Sequence, residues 1–228
     1  MDDSMLKDVL QWDIGNWATP LNYWEKMLIN SNASLNCLEL GAREGGLSLW
    51  LASKGHSVVC SDLSNTEAVA FPLHNKYNML SKITYRDIDA TSIPYENHFD
   101  VVVIKSILGG IGRNNNLSIQ KQVMDQVYKS LKPGGLFLFA ENNKASLLHR
   151  YFRKKFTTWG SDWRYLSVED FQNLLSSYKY VEIKTTGFAG VFGRYENHKI
   201  LLSKSDKYFF NYVLPSSWKY IVFGYAVK

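Results

Sequence analysis

Residues 37–55, CLELGAREGGLSLWLASKG, run from an apolar strand through a glycine-rich turn into a helix, the layout of a loop that presents backbone amides to a ligand. Three carboxylates recur where strand ends would expose them: Glu39 before the turn, Asp62 closing the next apolar run, and Asp89 after the one that follows. A dinucleotide loop needs its middle glycine so that the backbone can approach a pyrophosphate, and that position here is Arg43. So large a side chain crowds that approach. The carboxylates suit a cationic ligand whose only anionic group is small. Adenosylmethionine, with a sulfonium, an ammonium, one carboxylate and no phosphate, has that character, and Arg43 then faces its carboxylate or solvent.

Methyl transfer from a sulfonium is an in-line displacement, so holding the acceptor in line supplies much of the catalysis. An alcohol acceptor also has to lose a proton, which calls for a base near the ends of the fourth and fifth strands. The candidates are Lys105, Glu141 and His149. Lys105 ends an apolar strand and serves as a base, as the partner of an anionic acceptor, or as the partner of Glu141 in an ion pair. Glu141 has the same alternatives. His149 is either a helix-surface residue or a base in its natural titration range.

The elements that would position these groups follow from periodicity. Residues 5–31 carry apolar groups and Trp12, Trp17, Tyr23 and Trp24 at helical spacing, with a break expected near Thr19-Pro20. Strands are expected at 35–40, 56–64, 83–90, 99–108 and 136–142. Helices are expected at 45–54, at 65–82 with an interruption at Pro72, and at 118–132 before Pro-Gly-Gly. Strands spaced by helices imply right-handed crossovers and a parallel sheet. Beyond residue 144 come a basic helix (146–156), a Trp-rich stretch (159–166), a helix near 167–178, a strand at 180–186, an irregular segment containing DKYFFNYVLPSSW, and a last strand at 220–227.

With those motifs in hand, the chain resembles the class I, Rossmann-like adenosylmethionine-dependent methyltransferases. Their acidic-GxGxG motif is matched by Glu39, Gly41, Arg43 and Gly45, with Arg43 departing from it. Their acidic residue at the end of the second strand is matched by Asp62. Their D-A-x-x-I-P-Y segment ahead of F-D-V-V is matched by residues 89–95 and 99–102, and LKPGGLFLF matches the turn into the fifth strand. The resemblance covers residues 35–141 and implies a seven-stranded sheet in the order 3-2-1-4-5-7-6, its last strand antiparallel, in a three-layer α/β sandwich. It implies that Asp62 takes ribose hydroxyls, that Asp89 holds the adenine amino group, and that Ala90 and Thr91 offer amides. Ala42, Leu63 and Lys105 join them as expected cofactor-binding residues. Trp17 is added as part of an N-terminal lid.

One domain is expected over residues 1–228: a helical lid (1–34), a cofactor-binding core (35–142), and substrate-side helices with the final strands (143–228). The N-terminus lacks a basic flank before an apolar run, and no stretch approaches the roughly 20 apolar residues of a membrane span, so a cytoplasmic protein is expected. Cys37 and Cys60, each in an expected buried strand, read as core residues, and no metal site is evident. The net charge of +5 neither requires nor excludes an anionic partner.

Leu148, Phe152 and Phe156 share one side of the basic helix. The expectation is an apolar side over the core and a solvated basic side, with an anionic partner as the alternative. Trp159, Trp163 and Tyr165 either stack on the acceptor or pin a covering segment. Neither an Asn/Asp-Pro-Pro-aromatic signature nor a cysteine near the crevice is present, so a small molecule or saccharide, methylated on oxygen, is the expected acceptor. RNA or a lipid-linked acceptor comes second, and a non-catalytic adenosylmethionine-binding protein remains open. The oligomeric state is unspecified.

Overall fold

The computed structural model describes residues 1–28, 33–156 and 160–228. In chain order its elements are α1 (Asp3–Leu10), α2 (Ile14–Leu28), β1 (Asn36–Leu40), α3 (Gly46–Ser53), β2 (Ser57–Asp62), α4 (Thr66–Lys76), β3 (Ile83–Asp87) and β4 (Phe99–Lys105). There follow α5 (Leu108–Ile111), α6 (Leu117–Ser130), β5 (Leu131–Asn142), α7 (Leu147–Phe156), α8 (Val168–Leu174), β6 (Tyr180–Thr186), α9 (Glu196–Ser205), α10 (Asn211–Val213) and β7 (Ile221–Val227).

Alternation along β1 puts Cys37 and Glu39 on one face and Leu38 and Leu40 on the other, and all four are buried. A strand buried on both faces belongs inside a covered parallel sheet. β1 pairs in parallel with β2 and β4 at the centre of a seven-stranded sheet ordered β3-β2-β1-β4-β5-β7-β6, in which β7 runs antiparallel to both neighbours. This is the expected fold. One core packs α1–α4 on the Cys37 face around Trp17, Trp24 and Trp50; the other packs α6 and α8 on the Leu38 face around Phe137, Phe139 and Phe171. Cys37 and Cys60 are buried, unpaired thiols in β1 and β2.

Four expectations are corrected. The N-terminal helices break at Gln11–Asp13, where Gln11 and Asp13 take φ of 71° and 46°, and α2 runs straight through Pro20. Likewise α4 runs through Pro72. Each proline forfeits one backbone hydrogen bond, but both helices are held by buried residues on either side of it, Trp17 and Trp24 in α2, Thr66 and His74 in α4. The break is set from far along the chain: the Glu196 carboxylate accepts the amides of Asp13 (2.9 Å) and Ile14 (2.7 Å), capping α2.

The segment read as irregular is largely helical, since α9 continues through one π-turn (Asp206–Phe210) into α10. Asp206 is buried there, accepting from the amides of Ala189 (2.7 Å) and Gly190 (2.8 Å) and from Asn16 Nδ2 (3.0 Å). Those bonds tie α2 to the C-terminal insertion. Finally, α7 buries only His149, while Leu148, Phe152 and Phe156 lie exposed. Trp159 and residues 29–31 of the expected N-terminal helices lie outside the described residues.

Candidate cofactor and acceptor cleft

β1, β2 and β4 end together, and the loops leaving them border a cleft of about 1040 Å³. A cleft of that size suits a drug-sized cofactor together with a small acceptor. Its lining includes Glu39, Gly41, Ala42, Arg43, Asp62, Leu63, Asp89, Ala90, Thr91 and Lys105, so most of the residues singled out in the sequence converge on it.

The turn after β1 is shaped by two glycines. Gly41 has φ +65°, and a Cβ there would lie 2.4 Å from Ile107 Cγ2; Gly45 has φ +77°, and a Cβ there would lie 2.4 Å from His74 Nε2. No other residue fits either place without displacing a neighbour. His74 holds the turn from below, its Nε2 2.8 Å from the Gly45 carbonyl and its Nδ1 2.9 Å from Tyr85 Oη. Arg43 adopts the left-handed conformation (φ 51°) itself, with its side chain exposed at the rim.

Glu39 is buried where α3 begins. It accepts the amides of Leu47 (3.2 Å) and Ser48 (2.7 Å) and the Ser48 hydroxyl (2.6 Å), so the helix N-terminus meets a carboxylate. Burial nevertheless pushes its pKa up to about 7. Asp62 accepts the Arg43 amide on Oδ2 and the Leu63 amide on Oδ1, each at 2.7 Å. Each carboxylate oxygen keeps acceptor capacity toward the cleft. Asp89 closes a turn by accepting the Thr91 amide (2.8 Å) and hydroxyl (2.7 Å), both on Oδ1. Asp87 faces elsewhere, accepting the Thr66 amide (2.9 Å) at the start of α4.

The three candidate bases separate. Lys105 lines the cleft, its Nζ 3.3 Å from the Leu10 carbonyl and 5.2 Å from the centre of the Trp17 ring. Burial lowers its pKa to about 8 against the opposing pull of Glu39 and Glu141. Glu141 sits behind the wall: its Oε1 accepts the amides of Ile107 (2.7 Å) and Leu108 (3.0 Å), fixing the loop that starts α5.

His149 is drawn into a different place altogether. It is buried, with Nδ1 2.7 Å from Ser146 Oγ and Nε2 2.9 Å from the Phe188 carbonyl, and its ring lies among Phe188, Phe192 and Tyr220. Both of its nitrogens are committed to structure. His149→Ala is therefore expected to cost about 2–4 kcal/mol in chemical unfolding while kcat of the folded fraction stays unchanged.

For Glu141, whose pKa burial raises to about 7, the folded protein is favoured by protonation and loses that contribution as pH rises from about 4.5 through 7. Gln keeps an oxygen for both amides and carries no charge. Glu141→Gln is expected to melt above the wild type at pH 8, by a margin on the order of 3 kcal/mol, to lose that margin near pH 5, and to retain activity.

The N-terminal wall comes from Val9, Gln11 and Trp12. A Cβ on Gly46 would lie 2.2 Å from the Val9 carbonyl, so α1 rests directly on the start of α3. Trp12 faces the cleft, while Trp17 is buried beneath it with ring centres 5.2 Å apart. Opposite them Trp163 lies against Gly109 and Gly110, where Cβ atoms would come within 3.0 and 3.4 Å of its ring. The glycine-rich SILGGIGR run thus serves to admit an indole that forms the far wall of the cleft.

Seven strands in this order, with a glycine turn and carboxylates gathered at the carboxyl edge of the first two, define the class I, Rossmann-like methyltransferase architecture. Residues 38–139 match the family described as "Methyltransferase domain". No curated protein matches the chain by sequence. Among solved structures, the chain is similar to phosphoethanolamine N-methyltransferase 2 of Haemonchus contortus, in complex with phosphomonomethylethanolamine and S-adenosylhomocysteine. The TM-score is 0.64 at 20% identity over 93% of this chain and 52% of that one. This chain spans about half the length of that enzyme.

A SAM-dependent methyltransferase from Methanosarcina mazei aligns with a TM-score of 0.62 and 16% identity, over 89% of this chain and 96% of that one. One from Aquifex aeolicus aligns at 0.57 and 11%, over 91% and 88%. In its fold, and over the matched residues 38–139, the chain resembles the class I adenosylmethionine-dependent methyltransferases. Among the described residues no helix is long and apolar enough to cross a membrane.

Proposed function

We propose that this chain methylates a small molecule or saccharide on oxygen, in the cytoplasm, with adenosylmethionine as donor. The observation that carries the reading is one continuous cleft in which the acidic, glycine-turned end meets a wall of Trp12, Trp163 and Ile107 around a single buried amine, that of Lys105. When bound, adenosylmethionine supplies an electrophilic methyl group on a cationic sulfur. Asp62 takes the ribose hydroxyls on its remaining lone pairs, Asp89 through its other oxygen and the amide of Ala90 take the adenine edge, Thr91, whose own amide is held by Asp89, borders that edge, and Gly41 and Ala42 border the amino-acid end. Leu63 and Ile88 supply apolar surface beside the base. The indoles of Trp12 and Trp163 orient the acceptor, and the neutral amine of Lys105 receives its proton. A phosphorylated amine is the acceptor named for the Haemonchus enzyme.

The test is incubation with methyl-labelled adenosylmethionine and fractionated cell extract. Label is expected in the small-metabolite or saccharide fraction as an alkali-stable methyl ether, with adenosylhomocysteine released in equal amount. Label in RNA, lipid or protein would overturn the acceptor class, and the lack of any adenosylhomocysteine would leave a protein that binds its cofactor without turning it over.

A further inference from the structure

The basic helix α7 turns its apolar residues outward. Tyr151 and Phe156 are exposed, Phe156 to 66%. A second segment does the same: Tyr208, Phe209, Tyr212 and Trp218 all face solvent, Tyr212 to 82%. The two patches form one surface. Phe152 meets Phe192 with ring centres 5.3 Å apart, Phe192 meets Phe188 at 6.2 Å, and Phe188 reaches Phe210 at 5.3 Å and Trp218 at 6.5 Å.

The charge of this surface is as uneven as its polarity. Residues 144–156 contain five basic residues and no acid. Residues 199–219 contain four, and their one acid, Asp206, is buried. With these nine set aside, the remainder of the chain holds more acidic than basic residues, although the whole carries +5. The excess positive charge is therefore carried by the two segments that also carry this cluster of exposed rings. Arg150, Lys154, Lys155, Lys204 and Lys207 are all exposed beside those rings.

Contiguous exposed apolar patches rimmed by polar residues mark contact surfaces. Two like-charged copies would repel each other across it. Aromatic rings prefer the headgroup level of a bilayer, and lysine and arginine reach its phosphates. We propose that this face docks the protein peripherally on an anionic phospholipid bilayer, with the rings at headgroup depth and the five exposed cations on the phosphates. Docking sets the cleft beside the lipid. Arg153 stacks on Tyr165 at 4.1 Å, Tyr165 lies 6.1 Å from Trp163 in the cleft wall, and Lys199 lies 5.6 Å from the ring of Trp12 on the other wall. The proposal is independent of methyl transfer.

The full chain, without cofactor, is to be sedimented with vesicles of phosphatidylcholine alone and of phosphatidylcholine mixed with phosphatidylglycerol. Binding is expected only to the mixed vesicles, and it is expected to weaken as salt is raised. Lys154→Glu with Lys155→Glu, and separately Tyr208→Ser with Tyr212→Ser, each should weaken that partitioning at least about tenfold without lowering the melting temperature. Lys121→Glu with Lys129→Glu, a matched charge change on α6, should leave it unaltered. Equal loss in the α6 variant, or no binding to mixed vesicles, overturns the proposal. So does a self-association, or binding of an RNA oligonucleotide, that the two face variants abolish while vesicle binding is retained.

Discussion

Asp62→Ala is expected to weaken adenosylmethionine and adenosylhomocysteine binding by roughly 10²- to 10³-fold, the loss of two hydrogen bonds to a charged acceptor. The side chain does two things that alanine cannot. It holds the Arg43 amide (2.7 Å) and so fixes the turn whose middle residue is in the left-handed region, and it presents free lone pairs to the cleft. The effect divides between them. Asp62→Asn keeps one oxygen to accept the Arg43 amide but gives up the charge, and is expected to fall between the wild type and Asp62→Ala. Titration calorimetry with adenosylhomocysteine reads both variants, and circular dichroism confirms that each is folded. Unchanged affinity in Asp62→Ala would mean that the ribose lies elsewhere.

How far the chain explains itself depends on whether a residue's partner is near in sequence. The sheet order, in which β1 pairs with β4 and β5 with β7, came only with the family resemblance; the strands themselves were legible as short apolar runs between helices, because each is defined by residues near in sequence. The glycine turn, Asp62 and Asp89 were legible for the same reason: each follows directly from the end of a strand, where the topology gathers it. What failed was set by distant partners. Nothing near Asp13 announces that Glu196 will cap α2, so the break was read at Pro20, where the local rule is strongest.

The N-terminal wall shows the same limit from the side of the site. Trp12 and Trp17 are both aromatic residues close to the break, and which of them faces the cleft depends on how α1 seats against Gly46. His149 carried the functional side chain best suited to acid–base work, yet the pocket formed by Phe188, Phe192 and Tyr220, some 40 to 70 residues later in the chain, makes it a core residue. In α7, an amphipathic pattern implied a covered apolar side. The pattern reports that a helix has two faces; it does not report what each will meet.

Lys105→Met is expected to lower kcat by 10²- to 10⁴-fold while raising stability, a combination that a residue present for folding alone would not produce. A lysine held to a pKa of about 8 is penalised for its charge in the folded state. Below pH 8 both folded and unfolded chains carry the proton, and the cost is present in full. Between about 8 and 10.5 the unfolded chain binds more protons than the folded one, so the wild type recovers stability as pH rises through that window. Methionine matches the length of the stem and has no charge to bury, so Lys105→Met should unfold at higher denaturant at pH 7, by about 3 kcal/mol, with the advantage fading toward pH 10.5. The rate profile carries the mechanism. If the neutral amine takes the acceptor's proton, kcat of the wild type climbs about tenfold per unit toward pH 8 and then levels, and that limb disappears in the variant. A wild-type rate that instead falls above pH 8 would make Lys105 the cationic partner of an anionic acceptor, and a rate that ignores both pH and substitution would leave it holding only the Leu10 carbonyl and the Trp17 ring.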